Sequence, residues 1–305
     1  GYGQFAAGLA ARRNGKQQRR PATVLDEHNA IYLLTRRMAD TESNALRRLL
    51  IRREAGAFAR YEAQMLAAYD AVLTVTEEDR LHLLALLGDA GHYYDADNET
   101  KFTVIPICGD AEQVNVISRV PGGPPTILHL GTMFWPPNIQ GVLWFAEQVL
   151  PLVHRQAPKA RLVIAGKNPP PEVVALAADP RIEVTGYVPD PTAHLAAADA
   201  FIVPLHAGGG MRVKIVDAWL RGLPIVSTPV GAEGIESRNN ENILIASTPE
   251  AFADATVRLL TDPVLNACLR SNGRRWAEER YSWQTVYRRV DEVYDRLLNP
   301  ESNRG

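Results

Sequence analysis

The sequence feature that most constrains the fold is an alternation of short apolar strands with helical stretches from Thr126 onward. The strand candidates have the sequences TILHL, RLVIAG, IEVTG, DAFIVP, PIVST and ENILIA. They lack the polar face of a half-exposed antiparallel strand, and such strands form parallel sheets with helices on both faces. The alternation therefore predicts a doubly wound α/β domain, followed by helices from Pro249 to Leu298 with a break near Ser282.

The first part of the chain shows this pattern less completely. Its strand candidates, TVLD, AVLTV and FTVIP, alternate with helices and make up about half of a second βαβ domain. A complete domain would contain further strands before Thr23, so we expect unpaired strand edges in this half. Self-association or local disorder should follow. The predicted fold class is therefore α/β, with two parallel-sheet domains of which the first is truncated.

The long helix of the first part is predicted from Asn44 to Tyr69. Its large apolar side chains recur at three- and four-residue steps, and this spacing predicts that one helix face is buried. These side chains belong to Leu46, Leu49, Leu50, Phe58, Tyr61, Met65 and Tyr69.

Prolines and glycines at 120–125, with the sequence VPGGPP, interrupt both helix and strand and mark a domain boundary. We therefore expect a partial first domain over 1–120 and a complete second domain over 121–283. The C-terminal helix, 284–305, is long enough to cross back to the first domain.

Composition excludes several classes of protein. Hydrophobic residues make up 46% and charged residues 22% of the chain, which is the balance of a globular protein. A net charge of -2 argues against a nucleic-acid-binding protein, which carries a clear positive excess. No apolar run approaches the ~18 residues that span a bilayer, and residues 1–20 lack the apolar core of a signal peptide. We expect membrane contact to be peripheral.

The sequence suggests neither a metal site nor a disulfide. Cys108 and Cys268 are far apart and belong to no paired motif. Asp95 and Asp97 have the spacing of a metal-binding pair, but they lie in a polar turn without the surrounding pattern. We therefore expect no bound metal, and a cytoplasmic protein.

The strongest functional signal is the segment 204–228, with the sequence PLHAGGGMRVKIVDAWLRGLPIVST. It predicts a strand, a glycine loop, a helix from Met211 to Arg221 and another strand. Glycines let a ligand approach the backbone, and a helix N-terminus offers free N–H groups to an anion. Arg212 and Lys214 fall in the first turn, where cations need a negative partner. The segment predicts a phosphate site; the alternative is a surface charge cluster beside an ordinary glycine turn.

These motifs resemble those of the retaining GT-B glycosyltransferases, the large group 1 or family 4-like class. The resemblance extends over roughly 21–298 and is carried by GGGMRVKIVDA at 208–218, GLPIVST at 222–228, GTMFWPPN at 131–138 and GYVPD at 186–190. It implies a GT-B-like fold of two Rossmann-like domains, with the acceptor in the first and the donor nucleotide in the second. The segment 131–138 lacks the GxGxxG spacing of a dinucleotide site, which favours a single-nucleotide donor over a hydride-transfer cofactor.

The resemblance also implies roles for residues of the donor site. Arg212 and Lys214 match the basic pair that neutralises the donor diphosphate, and they are the expected catalytic residues. Asp217 matches the acid that holds the ribose. The position of the sugar-binding acid is Gly209, and Glu233 either substitutes for that acid, supports the phosphate loop or is simply solvated. The other donor-binding candidates are Gly131, Thr132, Tyr187, Val188, Gly208, Gly210 and Met211.

Candidates in the first half are fewer. His28 follows a strand and is the expected acceptor-side catalytic residue, through a hydrogen bond to the transferred sugar or the acceptor; a helix-capping histidine is the commoner alternative. The arginines of the next two helices favour a solvated face over attraction to an anionic acceptor or acidic lipid headgroups. These arginines are Arg36, Arg37, Arg47, Arg48, Arg52 and Arg53.

Three functions fit these observations. The leading hypothesis is transfer of a hexosyl unit, with retention, from a UDP- or GDP-sugar to a glycan or lipid-linked acceptor. A sugar-nucleotide epimerase would need acid–base residues, for which His28, His206 and Glu233 are the candidates. The third function is that of a nucleotide-binding module without turnover.

Overall fold

The computed structural model describes residues 21–91, 100–120 and 122–299, so Asp95 and Asp97 lie outside the described residues. The chain divides into two compact units. Of the described residues, the first unit comprises 21–91, 100–107, 209–211 and 284–299, and the second comprises 108–120, 122–208 and 212–283.

The first unit contains a parallel sheet of three strands in the order β1-β2-β3. The strands are β1 (Val24–Glu27), β2 (Ala71–Thr74) and β3 (Phe102–Val104), and the helices between them are α1 (Ile31–Thr41), α2 (Ala45–Ala68) and α3 (Glu77–Asp89). The strand segments therefore fold as their apolar sequences predict.

Polar side chains start two of these helices. The Asn44 side chain accepts hydrogen bonds from the N–H groups of Leu46 and Arg47, which caps α2. Thr76 accepts from the N–H of Asp79 and caps α3 in the same way. The apolar faces of the helices then pack on the sheet around Leu66, Val72, Leu83, Leu84, Leu87 and Phe102.

The prediction for the face that α2 buries was wrong for the leucines of its first turns, although Tyr69, directly after the helix, is buried. Leu46, Leu49 and Leu50 are exposed, whereas the buried positions of the helix are Ala55, Glu62, Ala63 and Leu66. Small side chains let α1 approach α2 closely, and the Glu62 carboxylate accepts hydrogen bonds from the N–H groups of Ile31 and Tyr32 at 2.7 and 3.0 Å. Satisfying these free donors at the start of α1 sets the rotation of α2.

The second unit contains a parallel sheet of six strands in the order β6-β5-β4-β7-β8-β9. The strands are β4 (Thr126–Leu130), β5 (Arg161–Ala165), β6 (Ile182–Gly186), β7 (Ala200–Val203), β8 (Ile225–Ser227) and β9 (Leu244–Ile245). The helices are α4 (Pro136–Trp144), α5 (Leu150–Gln156), α6 (Pro171–Ala175), α7 (Thr192–Ala197), α8 (Val213–Leu220), α9 (Pro249–Thr261) and α10 (Pro263–Tyr281), with a π-helical segment, Phe145–Val149, between α4 and α5. Its central strands are buried on both faces, as the sequence predicts.

The first boundary between the units lies at Ile107 and Cys108, not in the linker 120–125. Backbone hydrogen bonds tie the intervening segment to the second unit: the N–H of Gly109 donates to the Tyr281 carbonyl at 2.8 Å, and that of Val120 to the Ala196 carbonyl at 2.9 Å. Prolines and glycines mark where regular structure stops, but these tertiary bonds decide the unit to which the segment belongs.

The last helix, α11, spans Trp283–Leu298, after α10 ends at Tyr281. From Gln284 onward it belongs to the first unit, where the Arg296 guanidinium donates to the Thr103 hydroxyl at 3.0 Å. No helix among 21–91, 100–120 and 122–299 is long and apolar enough to cross a membrane.

Candidate functional site

The strand order of the second unit reverses at its centre. β4 pairs with β5 on one side and with β7 on the other. In open α/β sheets, ligands bind outside the carboxyl ends of the strands at such a reversal. Gly131 follows β4 directly, and the glycine loop 208–210 follows β7. The topology therefore places Gly131 and Gly208, both of the second unit, at the favoured edge of the sheet.

The loop after β4 is fixed to its neighbour by backbone contacts. The Gly131 N–H donates to the Ala165 carbonyl at 3.0 Å, and the Met133 N–H donates to the Lys167 carbonyl at 2.8 Å. A Cβ at Gly166 would overlap the Gly131 carbonyl, so this close approach requires glycine.

An asparagine joins this loop to the helix after β7. The Lys214 ammonium donates to Asn138 Oδ1 at 2.9 Å, and Asn138 Nδ2 donates to the Thr132 carbonyl at 2.8 Å. A Cβ at Gly131 would come within 2.9 Å of Lys214 Nζ. The structure thus brings Gly131, Thr132 and Lys214 together around the buried Asn138 side chain.

Burial makes the Lys214 ammonium easier to deprotonate. Desolvation lowers the pKa of Lys214 to about 8, and the nearby charge of Arg212 acts in the same direction. An anionic ligand would reverse both effects, because it supplies the missing opposite charge. The lowered pKa of Lys214 is therefore consistent with a cationic site that binds an anion.

His129 lies fully buried on β4 and adds no charge. Burial, together with the charge of Lys214, lowers the pKa of His129 to about 3. Its Nδ1 lies 3.2 Å from the Ile202 carbonyl, which only accepts, so Nδ1 carries the hydrogen of the neutral ring. The positive charge at this edge of the sheet thus comes from Lys214 and Arg212.

Arg212 is 7% exposed and is held by the segment after β8. Its Nε and Nη2 donate to the Val230 carbonyl at 3.2 and 3.0 Å, and Nη2 lies 3.7 Å from Glu233 Oε2. This ion pair favours a supporting role for Glu233 over direct contact with a sugar. Gly208, with φ 155°, leaves room for the guanidinium, which a Cβ there would overlap.

Helix α8 begins at Val213, so Arg212 caps the helix and does not lie within its first turn as predicted. Gly210 has a positive φ of 67° and Arg212 a non-helical ψ of 69°, so the helix begins only after these residues. Lys214 is the second helical residue. Both cations therefore still lie at the N-terminal end of α8, where free N–H groups favour an anion.

The carboxylate of Asp217 has a partner within its own helix. Arg221 Nε donates to Asp217 Oδ2 at 2.9 Å, one helical turn further on. The sequence prediction assigned Asp217 to ribose hydroxyls and did not consider this pair. The role of Asp217 in ribose binding stays a prediction, and in that role the ribose hydroxyls would compete with Arg221 for the Asp217 carboxylate.

Tyr187 and Val188 follow β6, at one edge of the sheet. β5 lies between β6 and β4, so two strand spacings, about 10 Å, separate the backbone of Tyr187 from that of Gly131. Tyr187 is 69% exposed. The proposed stacking on a base therefore stays a prediction, and so does the role of Val188.

The remaining predicted residues belong to the first unit. Gly209, Gly210 and Met211 are part of it, and the Met211 sulfur accepts the Ile107 N–H at 3.2 Å. A Cβ at Gly210 would collide with the Asn29 side chain. His28 is exposed, with Nε2 3.2 Å from Asp26 Oδ2. The alternative that His28 caps the helix is wrong, because the cap position of α1 is Ala30.

Two residues near these sites had no role in the sequence prediction. Asn138 is quoted in the motif 131–138, but its partner Lys214 is distant in sequence, so only the fold reveals the contact. Glu27 ends β1, and burial together with Glu62 and Asp26 raises the pKa of Glu27 to about 7. For Glu27 the available sequence signal is a polar residue at the carboxyl end of a parallel strand, whereas Asn138 lies within α4 and offers no such signal.

Among the described residues there is no group of three or more histidine, cysteine, aspartate or glutamate side chains arranged to hold a metal ion. Within the same residues both cysteines are free thiols, with Cys108 partly buried and Cys268 exposed.

Comparison with known proteins agrees with this geometry. Residues 124–262, which contain β4 to β9 and α8, match the family described as glycosyl transferases group 1. The match is to a glycosyltransferase domain, and it covers less than half of the chain. The predicted resemblance is confirmed, since this match contains the loop after β4, the glycine loop and both cations.

Curated relatives match the same region. An uncharacterized 44.6 kDa protein in the cps region of Klebsiella pneumoniae is 30% identical over 141 residues, which are 42% of this chain and 35% of that protein. A GDP-mannose-dependent alpha-(1-6)-phosphatidylinositol monomannoside mannosyltransferase of Mycobacterium tuberculosis is 28% identical over 152 residues, 45% of this chain and 40% of that enzyme. The matched segments therefore span less than half of each relative.

Solved structures confirm the fold class. Sucrose-phosphate synthase from Thermosynechococcus elongatus superposes with a TM-score of 0.72 at 18% identity, covering 98% of this chain and 72% of that one. At this identity the likeness shows the fold alone. The GT-B-like α/β class predicted from the strand alternation and motifs is confirmed by this neighbour and by the two parallel sheets.

Proposed function

We propose that the chain transfers a hexosyl unit, with retention, from a nucleoside diphosphate sugar to a glycan or lipid-linked acceptor. The observation that carries the proposal is the pair of cations at the start of α8. Lys214 is hydrogen-bonded by the Asn138 amide, and among the described residues no carboxylate forms an ion pair with it. A diphosphate would supply the charge that this buried ammonium lacks.

The chemistry assigned to these residues is electrostatic. Breaking the bond between the sugar and the diphosphate places negative charge on the leaving phosphate oxygen. Arg212 and Lys214 are held in place before the reaction by Val230, Glu233 and Asn138, so stabilising this charge costs little reorganisation. In this proposal Gly131, Thr132 and Gly208 provide the close backbone approach, and Asp217, Tyr187 and Val188 contact the nucleoside.

The name of one relative supports both the donor and the acceptor of this proposal. The mycobacterial enzyme uses GDP-mannose and acts on a phosphatidylinositol monomannoside, as its name states. By analogy the donor here is a GDP- or UDP-sugar, and a lipid-linked acceptor places the reaction at the cytoplasmic face of a membrane. His28 contacts the sugar or acceptor in this proposal, and its contact with Asp26 orients the ring.

Calorimetric titration tests the donor site. We expect UDP or GDP to bind, and Arg212→Ala and Lys214→Ala each to weaken diphosphate binding by about tenfold or more while leaving the weaker nucleoside binding unchanged. Arg155→Ala, an exposed arginine of the same unit, is the matched control. Equal losses for diphosphate and nucleoside would refute the phosphate role.

Turnover separates the proposed transferase from its rivals. Incubation with nucleotide sugars and an acceptor mixture should release nucleoside diphosphate and form a glycosylated product. A changed sugar without nucleotide release would indicate an epimerase, and binding without any conversion would indicate a binding module.

A further inference from the structure

Helix α2 presents an exposed apolar surface that the packing of the first unit does not use. Leu46, Leu49 and Leu50 are 68%, 65% and 58% exposed. At 3.6 residues per turn they lie within about 100° of arc, and the buried Ala55 lies about 180° from Leu46. Tyr61 is exposed on the same side of the helix, about 22 Å further along at 1.5 Å per residue.

Arginines surround these leucines. The segment 44–53, with the sequence NALRRLLIRR, contains four arginines and no acidic residue. Arg53 lies between Leu46 and Leu49 on the helical projection, whereas Arg47 and Arg52 lie on either flank. Arg52 forms one exposed ion pair, with Asp40 at 3.1 Å. The surface is therefore apolar at its centre and positive at its rim.

The acidic residues nearby do not cancel this charge. Glu62 is buried and bonded to the start of α1, so it does not reach the surface. Glu42 accepts the Asn44 N–H at 2.8 Å, just before the helix. Glu54 is exposed on the Arg47 flank and offsets one charge. The balance over the face remains positive.

We infer that this face of α2 docks on an anionic lipid bilayer, with the leucines in the interfacial region and the arginines on the headgroups. A helix with leucines on one side and arginines around them has the composition of an interfacial helix. Bilayers with acidic lipids supply both the apolar depth and the negative charge that this face lacks, whereas a second copy of the same face would repel it. The Asn44 cap forms the helix before docking, so no ordering cost arises on binding.

The inference rests on the proposed function in one respect only: docking on a bilayer would bring the chain to a lipid-linked acceptor. Flotation with vesicles of mixed phosphatidylglycerol and phosphatidylcholine measures it without any donor. We expect binding to these vesicles, weaker binding at high salt, and little binding to pure phosphatidylcholine. Diphosphate titration of the same samples keeps failure of docking distinct from failure of the donor site.

Variants locate the surface. Leu49→Ser with Leu50→Ser should reduce vesicle binding by about tenfold or more, and Arg47→Gln and Arg53→Gln by about fivefold each. Val174→Ser with Val264→Ser, two exposed valines of the second unit, is the matched control and should bind as the parent chain does. Unchanged binding of the leucine variant, or equal binding to both vesicle types, would overturn the inference. A parent chain that self-associates through these leucines and ignores vesicles would do so as well.

Discussion

Lys214 is a lysine whose charge changes at moderately alkaline pH, because burial lowers the pKa of its ammonium to about 8. Only the protonated form attracts a diphosphate. We therefore expect diphosphate affinity to be full below that pH and to fall as the pH rises through the pKa of Lys214. Calorimetry across this range measures the effect, and Lys214→Gln should bind weakly with a flat profile. A flat profile for the parent chain would contradict the assignment.

Asn138 controls where the Lys214 ammonium lies, since its amide joins that ammonium to the Thr132 carbonyl. Asn138→Ala leaves both groups without this partner, and we expect diphosphate binding to weaken by about tenfold. Asn138→Asp places a carboxylate beside the ammonium. It should raise the pKa of Lys214 and move the fall in affinity to higher pH.

Asn266 offers a control of the same residue type. It is buried and donates to the Asp199 and Leu259 carbonyls, in contacts that do not involve Lys214. Asn266→Ala should lower the melting temperature and leave the pH profile of binding unchanged. An identical profile in Asn138→Asp and the parent chain would exclude a positioning role for Asn138.

At the scale of single elements, the glycine loop acts by leaving space for Arg212. Gly208 has φ 155°, and a Cβ there would overlap the guanidinium. Gly208→Ala should displace Arg212 and weaken diphosphate binding by about tenfold through strain and lost charge. Gly88→Ala is the control, because a Cβ at this helical position meets nothing within 4 Å. It should raise stability by about 0.5–1 kcal/mol without any effect on binding.

Sequence patterns predict the elements well where local rules dominate. The strand segments of the second unit are mostly apolar, and a parallel sheet is the fold that buries both faces. Helix α2 shows where such rules fail. Its leucine spacing predicts a buried face, yet the contact of Glu62 with the N-terminus of α1 and the small side chains of Ala55 and Ala63 select a different face.

The candidate site divides in the same way. Glycines, two cations and a helix start are local in sequence, so their grouping could be predicted from 204–228 alone, while phosphate binding there stays a prediction. The Asn138 contact joins α4 and α8, which follow two different strands, and the Asp217 pair with Arg221 competes with the ribose role. Both depend on tertiary structure or rotamer choice, which residue spacing does not determine.

At the scale of the whole molecule, each of the two units has a hydrophobic core of its own. One core surrounds Leu83 in the first unit, and another contains Phe145 and Phe252 in the second. We expect two transitions in scanning calorimetry. Leu83→Ala should destabilise the first unit by about 2–5 kcal/mol and lower one transition, because Leu83 is fully buried. Nucleoside diphosphate should raise the other transition, since the two cations proposed to bind it belong to the second unit. A single transition that responds to both changes would show that the units unfold together.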